Sequence, residues 1–127
     1  MIDTHNGVIK VSDELTIYPG YSFDQFQHTK FYKNQDGIRI IYLDGQQMID
    51  GRSYIVSLIF RDRKLYMLSL ICCDEEFSEQ DEKKRKMLHD TILNELGIRP
   101  QEQYSWGKIS SDYDARGNVS SINIIYF

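Results

Sequence analysis

Tyr54-Ile55-Val56-Ser57-Leu58-Ile59-Phe60 and Leu65-Tyr66-Met67-Leu68-Ser69-Leu70-Ile71-Cys72, separated by Arg61-Asp62-Arg63-Lys64, decide the fold. Two runs of aliphatic, β-branched and aromatic residues joined by four charged ones read as a β-hairpin. Both runs are apolar at nearly every position, so nearly both faces of each strand are apolar. Such strands belong in the middle of a sheet with at least one face covered. The charged tetrad is then a solvated turn, which explains its cations more simply than a basic binding patch does.

Working outward toward the N-terminus, Ile38–Leu43 reads as a neighbouring strand, followed by a loop or frayed strand end between the turn signals Asp44-Gly45 and Asp50-Gly51. Ser22-Phe23-Asp24-Gln25 has the form of a capping box, with the serine hydroxyl accepting from the Gln25 amide and the Gln25 side chain reaching back. A short helix to about Lys30 is expected, with Phe23 and Phe26 near one face. Gly7–Val11 and Leu15–Tyr18 read as two short strands with Ser12-Asp13-Glu14 as their turn.

Toward the C-terminus, Ser78 is placed to cap a second helix with Glu79, Asp81 and Glu82 in its first turn, where the helix dipole favours anions. The four-residue spacing of Leu88, Ile92 and Leu96 predicts the buried stripe, and leaves His89 partly exposed. Pairs Glu79–Lys83 and Glu82–Lys86 predict ion pairs along a solvated face, so Lys83-Lys84-Arg85-Lys86 needs no nucleic-acid partner. Gly97 predicts a Schellman ending with Ile98 folded back on Leu93, and Pro100 stops the helix. Tyr104–Tyr113 and Val119–Phe127 form a closing hairpin that turns at Asp114–Asn118. Its last strand puts Ile122, Ile124 and Tyr126 on one face and Ser121 and Asn123 on the other. Ile125 and Phe127 interrupt that polar face, which implies a covering near the strand end. The expected order is ββ-α-βββ-α-ββ: an α+β fold, mainly an antiparallel sheet, with two helices packed on one face.

One core is the default for 127 residues, so residues 1–127 are expected to form a single domain. With 41% hydrophobic and 27% charged residues, the chain has the balance of a soluble globular protein. Nine Tyr, six Phe and one Trp favour strands, and they also suit binding surfaces. A formal net charge of −4 argues against nucleic acid as a partner and suits a basic protein. No basic-then-apolar leader is visible at the N-terminus, and no apolar stretch approaches the roughly 20 residues that span a bilayer. Cys72 and Cys73 are adjacent, so a bond between them would be strained; two free thiols, and with them a cytoplasmic setting, are expected.

The chemistry-bearing residues are scattered. His5, His28 and His89 lie in separate contexts without ligand spacing, so no metal and no cofactor are expected. Asp74-Glu75-Glu76 after the cysteines would raise a thiol pKa, the opposite of activation. Asp112 and Asp114, with Trp106 and Tyr113 nearby in sequence, are the one carboxylate pair that invites a glycosidase reading. Turn chemistry explains Asp114 without it.

Tyr104-Ser105-Trp106-Gly107-Lys108-Ile109-Ser110-Ser111-Asp112-Tyr113-Asp114, with Ser120-Ser121-Ile122 and Tyr126 after it, resembles the end of a group of small uncharacterised bacterial proteins. Those proteins close on a similar Trp-Gly hairpin after a Lys- and His-bearing helix, as Lys83–Leu96 does here. In size, acidity and lack of a site the chain also resembles the immunity proteins of bacterial toxin systems. That likeness implies a non-enzymatic domain that binds and blocks a partner protein. Such a domain would expose aromatic and acidic side chains, and the candidates are Tyr18, Tyr21, Tyr32, Tyr104 and Trp106 with Asp112 and Asp114. The partner would be a basic protein or a second copy of the chain. The alternative is a small-molecule binder or weak enzyme with a pocket between sheet and helices.

Overall fold

The computed structural model describes residues 1–127. In chain order the strands are β1 (Ile2–Asp3), β2 (Val8–Ser12), β3 (Leu15–Ile17), β4 (Ile40–Tyr42), β5 (Gln47–Ile49), β6 (Arg52–Arg61), β7 (Lys64–Cys72), β8 (Gln101–Gln103), β9 (Gly107–Asp114) and β10 (Val119–Tyr126). Helix α1 (Phe23–Phe26) lies between β3 and β4, and α2 (Glu82–Glu95) between β7 and β8. The α+β class with an antiparallel sheet is as the pattern predicts.

The β6–β7 hairpin is the centre of a seven-stranded sheet ordered β4-β6-β7-β10-β9-β8, with β5 also paired to β6. Its turn is tighter than the charged tetrad suggests. Arg61 pairs with Lys64, leaving Asp62 and Arg63 as a two-residue loop with φ of 50° and 63°. Positive φ at both positions is the mirror-image turn whose twist matches paired strands, formed here without glycine.

Three other differences from the expected order have local causes. The N-terminal strands pair only with one another, as a separate sheet β1-β2-β3, instead of joining the large one. The loop between Asp44 and Asp50 gains pairing because Gln47, Met48 and Ile49 lie beside Tyr54, Ser53 and Arg52. Gln101–Gln103, which lacks any apolar pattern, becomes an edge strand because β9 offers it a free side.

Twenty-five buried hydrophobic residues form one cluster that joins both sheets and both helices. Cross-strand partners share a face, so the register sorts the large sheet into two. Tyr54, Val56, Leu58, Leu68, Leu70, Cys72, Ile109, Ile122, Ile124 and Tyr126 point into the core. On that side, α1 follows the expected capping box and packs Phe23 and Phe26 against Phe60, at 5.3 and 5.8 Å between ring centroids. Helix α2 crosses β9 and β10 on the same side. The opposite face of the sheet has no element over it.

The inward face of α2 is shifted by one residue from the expected stripe. His89, Ile92 and Leu93 are buried, whereas Leu88 is half-buried and Leu96 is exposed. The reason lies at the start of the helix. A 3₁₀ turn (Glu79–Asp81) precedes α2, and Glu82 turns inward to accept from the Ser120 amide at 3.0 Å and from Arg85. Glu82 is therefore not free to meet Lys86, which pairs with Asp90 at 3.0 Å, and Lys84 pairs with Asp81. The end of α2 follows expectation. Gly97 has φ of 75°, its amide donates to Asn94, and the Ile98 amide donates back to Leu93 at 2.8 Å. No helix is long and apolar enough to cross a membrane.

Candidate functional site

The expected aromatic and acidic residues fall into separate places. Tyr21 is a core residue, 4% exposed, set edge-on to Tyr18 at 5.5 Å, and burial raises its hydroxyl pKa to about 12. Tyr18 is half-buried, and its hydroxyl accepts from the Gln25 side chain. Tyr32 lies edge-on to Phe23 and Phe26 and donates to Asp36. These three tyrosines surround α1 and fasten it.

Tyr104 and Trp106 form a second group, stacked at 5.1 Å with nearly parallel rings. The indole N–H of Trp106 donates to the Thr4 carbonyl at 2.8 Å, and its ring lies on Gly7. A Cβ at Gly7 would meet that ring at 2.6 Å, so only glycine admits the contact. Tyr126 completes the joint by donating to the Gly7 carbonyl at 2.9 Å. Trp106 therefore ties the small sheet to the closing hairpin.

Asp114 accepts from the Arg116 amide and shapes the closing turn. Asp112 accepts from Ser110 at 2.6 Å and from the Asn123 amide group at 2.7 Å. Trp106 sits at the start of β9 and Asp114 at its end, so no aromatic platform adjoins the two carboxylates.

Asp112 instead belongs to a larger feature. The outward residues of the large sheet line up in rows across the strands. A middle row runs Tyr42, Ser57, Ser69, Asn123, Ser110 and Gln101. Ser69 donates to Asn123 at 2.9 Å and Asn123 donates to Asp112, so the polar groups satisfy one another laterally. On one side of it lies Ile40, Ile59, Met67, Ile125 and Lys108. On the other side Ile55 and Ile71 are paired, and in the same register the row continues as Ser121 and Asp112. Ser57 and Ser110 are nearly buried although no element covers them, because the taller flanking rows shield them. The face is thus a shallow polar trough between two largely apolar ridges.

An antiparallel sheet with one solvated face normally alternates apolar inward with polar outward. Here β6 turns Ile55 and Ile59 outward and β7 turns Met67 and Ile71 outward. Half of this is visible in the sequence, as strands apolar on both sides and the interruption at Ile125 and Phe127, whereas the binding residues expected from it are tyrosines elsewhere. The signal for the face lay in the outward residues of the central hairpin.

Charge on this face is divided by position. Arg61, lying over the Tyr66 ring at 3.7 Å, and Lys108 stand toward one end of the strands. Asp112, Glu75 and Glu76 stand toward the other, and beside the two glutamates a depression of about 480 Å³ is lined by Ile55, Ile71, Glu75, Glu76 and Phe77 and by Glu82 and Arg85 of α2. A second depression of about 370 Å³ lies by Gln101, Gln103, Lys108, Ser110, Asp112 and Ile125, so Lys108 and Asp112 flank the same hollow. Both open broadly to solvent.

The titratable core groups face away from this surface. His89 is fully buried, not partly exposed, and its Nε2 accepts from the Cys72 amide at 3.0 Å. The proton of the neutral ring is therefore on Nδ1, which has no hydrogen-bond partner. Burial, with Arg85 second, lowers its pKa to about 4. Cys72 and Cys73 are both free thiols, and burial raises the Cys72 pKa. No group of three or more His, Cys, Asp or Glu side chains is gathered as metal ligands would be. No family model, curated protein or solved structure matches the chain.

Proposed function

We propose that this chain is a non-enzymatic protein-binding domain and that it binds through the uncovered face of its seven-stranded sheet. The observation that carries the reading is that β6 and β7 are apolar on both faces while the helices lie on one. Contiguous exposed apolar rows rimmed by polar groups are characteristic of interaction surfaces. A partner seated on the ridges would remove Ile55, Ile59, Met67 and Ile71 from water. The ladder of Ser57, Ser69 and Asn123 would supply hydrogen bonds along the trough. The depressions on this face are broad and open, which suits a macromolecular surface better than an enclosed small-molecule site. Blocking a partner protein, as the immunity proteins that the chain resembles do, is the sharper form of the reading, and the net charge of −4 supports it.

The test is affinity capture with tagged wild-type protein and the variants Ile71→Lys and Lys83→Glu. Ile71→Lys puts a charge in the middle of the face, whereas Lys83 lies on the exposed side of α2. The bound protein, a second copy included, should be lost with Ile71→Lys and kept with Lys83→Glu. Equal capture by both variants would remove the face from consideration, provided circular dichroism shows Ile71→Lys to be folded.

A further inference from the structure

We infer that the partner on this face is a second copy of the chain, docked sheet to sheet about a two-fold axis that runs along the middle polar row. The inference rests on the protein-binding reading above and names its occupant.

The face is self-complementary. A two-fold axis along the row Ser57-Ser69-Asn123-Ser110 leaves that row opposite itself and exchanges the two flanking ridges. Met67 of one copy then faces Ile71 of the other, and Ile59 faces Ile55, so apolar side chains meet apolar ones on β6 and β7, while on β10 Ile125 faces Ser121. On β9 the same operation brings Lys108, from one flanking row, opposite Asp112, from the other. At the ends of the β6–β7 hairpin it brings Arg61 toward the Glu75 and Glu76 depression. Lys108 and Asp112 thereby meet as opposites, as do Arg61 and the Glu75–Glu76 end, each twice over by symmetry, while Arg85 at that end is already paired with Glu82 at 3.1 Å. A uniformly basic partner would satisfy the acidic end and leave Arg61 and Lys108 against like charge.

Size agrees with this. Four strands of eight or more residues, at about 4.8 Å spacing and about 3.3 Å per residue, make roughly 500 Å², and the three-residue β4 and β8 bring the face to about 600 Å² before side-chain relief. A stable specific interface takes roughly 800 Å² from each partner, and a ridged surface exposes more than its plane. Aligned sheet-on-sheet packing is a standard way of burying two such faces. Opposed troughs would form a polar channel between the sheets, in which Ser69, Ser110 and Asn123 keep their lateral partners.

Sedimentation equilibrium of the full chain from micromolar to millimolar concentration is the first measurement, repeated on Lys108→Asp, Asp112→Lys and the double charge swap. The wild type should dimerise. Each single substitution places like charges together at two symmetric positions and should weaken the dimer at least tenfold, with recovery in the swap. Asp112 also holds Asn123, so Asp112→Lys disturbs the ladder. An independent probe is Ser69→Cys in a Cys73→Ser background, treated with a short bismaleimide. Ser69 lies on the axis and should cross-link to its own counterpart across roughly 10 Å between sheets. Lys83→Cys in the same background should not cross-link. A wild type that stays monomeric to millimolar concentration overturns the inference, as does a dimer indifferent to both single charge variants, or one in which Ser69→Cys fails to cross-link. Loss of heterologous capture on Ile71→Lys together with a monomeric wild type would leave the binding face standing without the second copy.

Discussion

At the scale of single residues, His89 is the clearest case of position overriding type. The sequence places a histidine between Leu88 and Asp90, and a four-residue spacing that skips it suggests exposure. The structure gives its ring two structural duties: filling the space under β7 and accepting the Cys72 amide. That amide belongs to the last residue of the strand, and a buried donor left unpaired there would be costly. The ring must be neutral to accept, and burial holds its pKa at about 4 rather than the ordinary 6.5. The unfolded chain therefore binds a proton between these values and the folded one does not. Stability from this residue is complete above about pH 6.5 and is lost as the pH falls toward 4. At about 1.4 kcal/mol per pH unit, the loss is on the order of 3 kcal/mol. Urea unfolding at pH 7, 5.5 and 4.5 checks this when the same series is run on His89→Gln. The wild type should lose more stability than the variant across that range, and parallel curves would exclude His89 as the titrating group.

At the scale of elements, legibility followed the strength of local chemistry. The capping box at Ser22 and the glycine ending at Gly97 were readable because each depends on residues within one turn of the chain. The central hairpin was readable from its composition, but its turn was not, because Asp62 and Arg63 adopt positive φ without a glycine to announce it. Strand β8 could not be read, since Gln101-Glu102-Gln103 becomes a strand only through pairing with β9. The start of α2 departs from its local pattern for a related reason: Ser120, thirty-eight residues away, recruits Glu82 into its own hydrogen bonds. The candidate face was half legible, for its apolar rows come from the hairpin, whereas the ladder through Asn123 and Asp112 needs the register of three strands. Gly97 allows the local rule to be tested alone. It has positive φ and no atom within 4 Å of where a Cβ would stand, so substitution meets no clash. Gly97→Ala should cost about 1 kcal/mol from backbone conformation only, and Gly97→Asn less. Thermal unfolding of the two variants would show the order, and an equal loss in both would point to side-chain packing instead.

At the scale of the molecule, two sheets that share no strand pairing nevertheless share one core. Ile9, Val11, Leu15 and Ile17 of the small sheet lie in the same buried cluster as Val56, Leu68 and Ile124 of the large one. The chain ends are joined across it by the Trp106 indole on the Thr4 carbonyl and by the Tyr126 hydroxyl on the Gly7 carbonyl, contacts separated by more than one hundred residues. The three strands of the small sheet bury their apolar side chains only against the rest of the protein, and short isolated strands are marginal in water. Undocking the small sheet would therefore expose core residues on both sides of the interface. Local opening of β1–β3 should cost nearly as much as global unfolding, which makes the molecule one cooperative unit. Trp106 is the only tryptophan and sits on the joint, so its fluorescence reports docking of the small sheet, while far-ultraviolet circular dichroism is dominated by the large one. The two signals should follow a single transition with the same midpoint in urea. An earlier fluorescence transition would show the small sheet leaving a still-folded large sheet. In that case the shared cluster does not couple the two sheets, and the uncovered face would be carried by a framework stable without its N-terminal sheet, Ile2–Ile17.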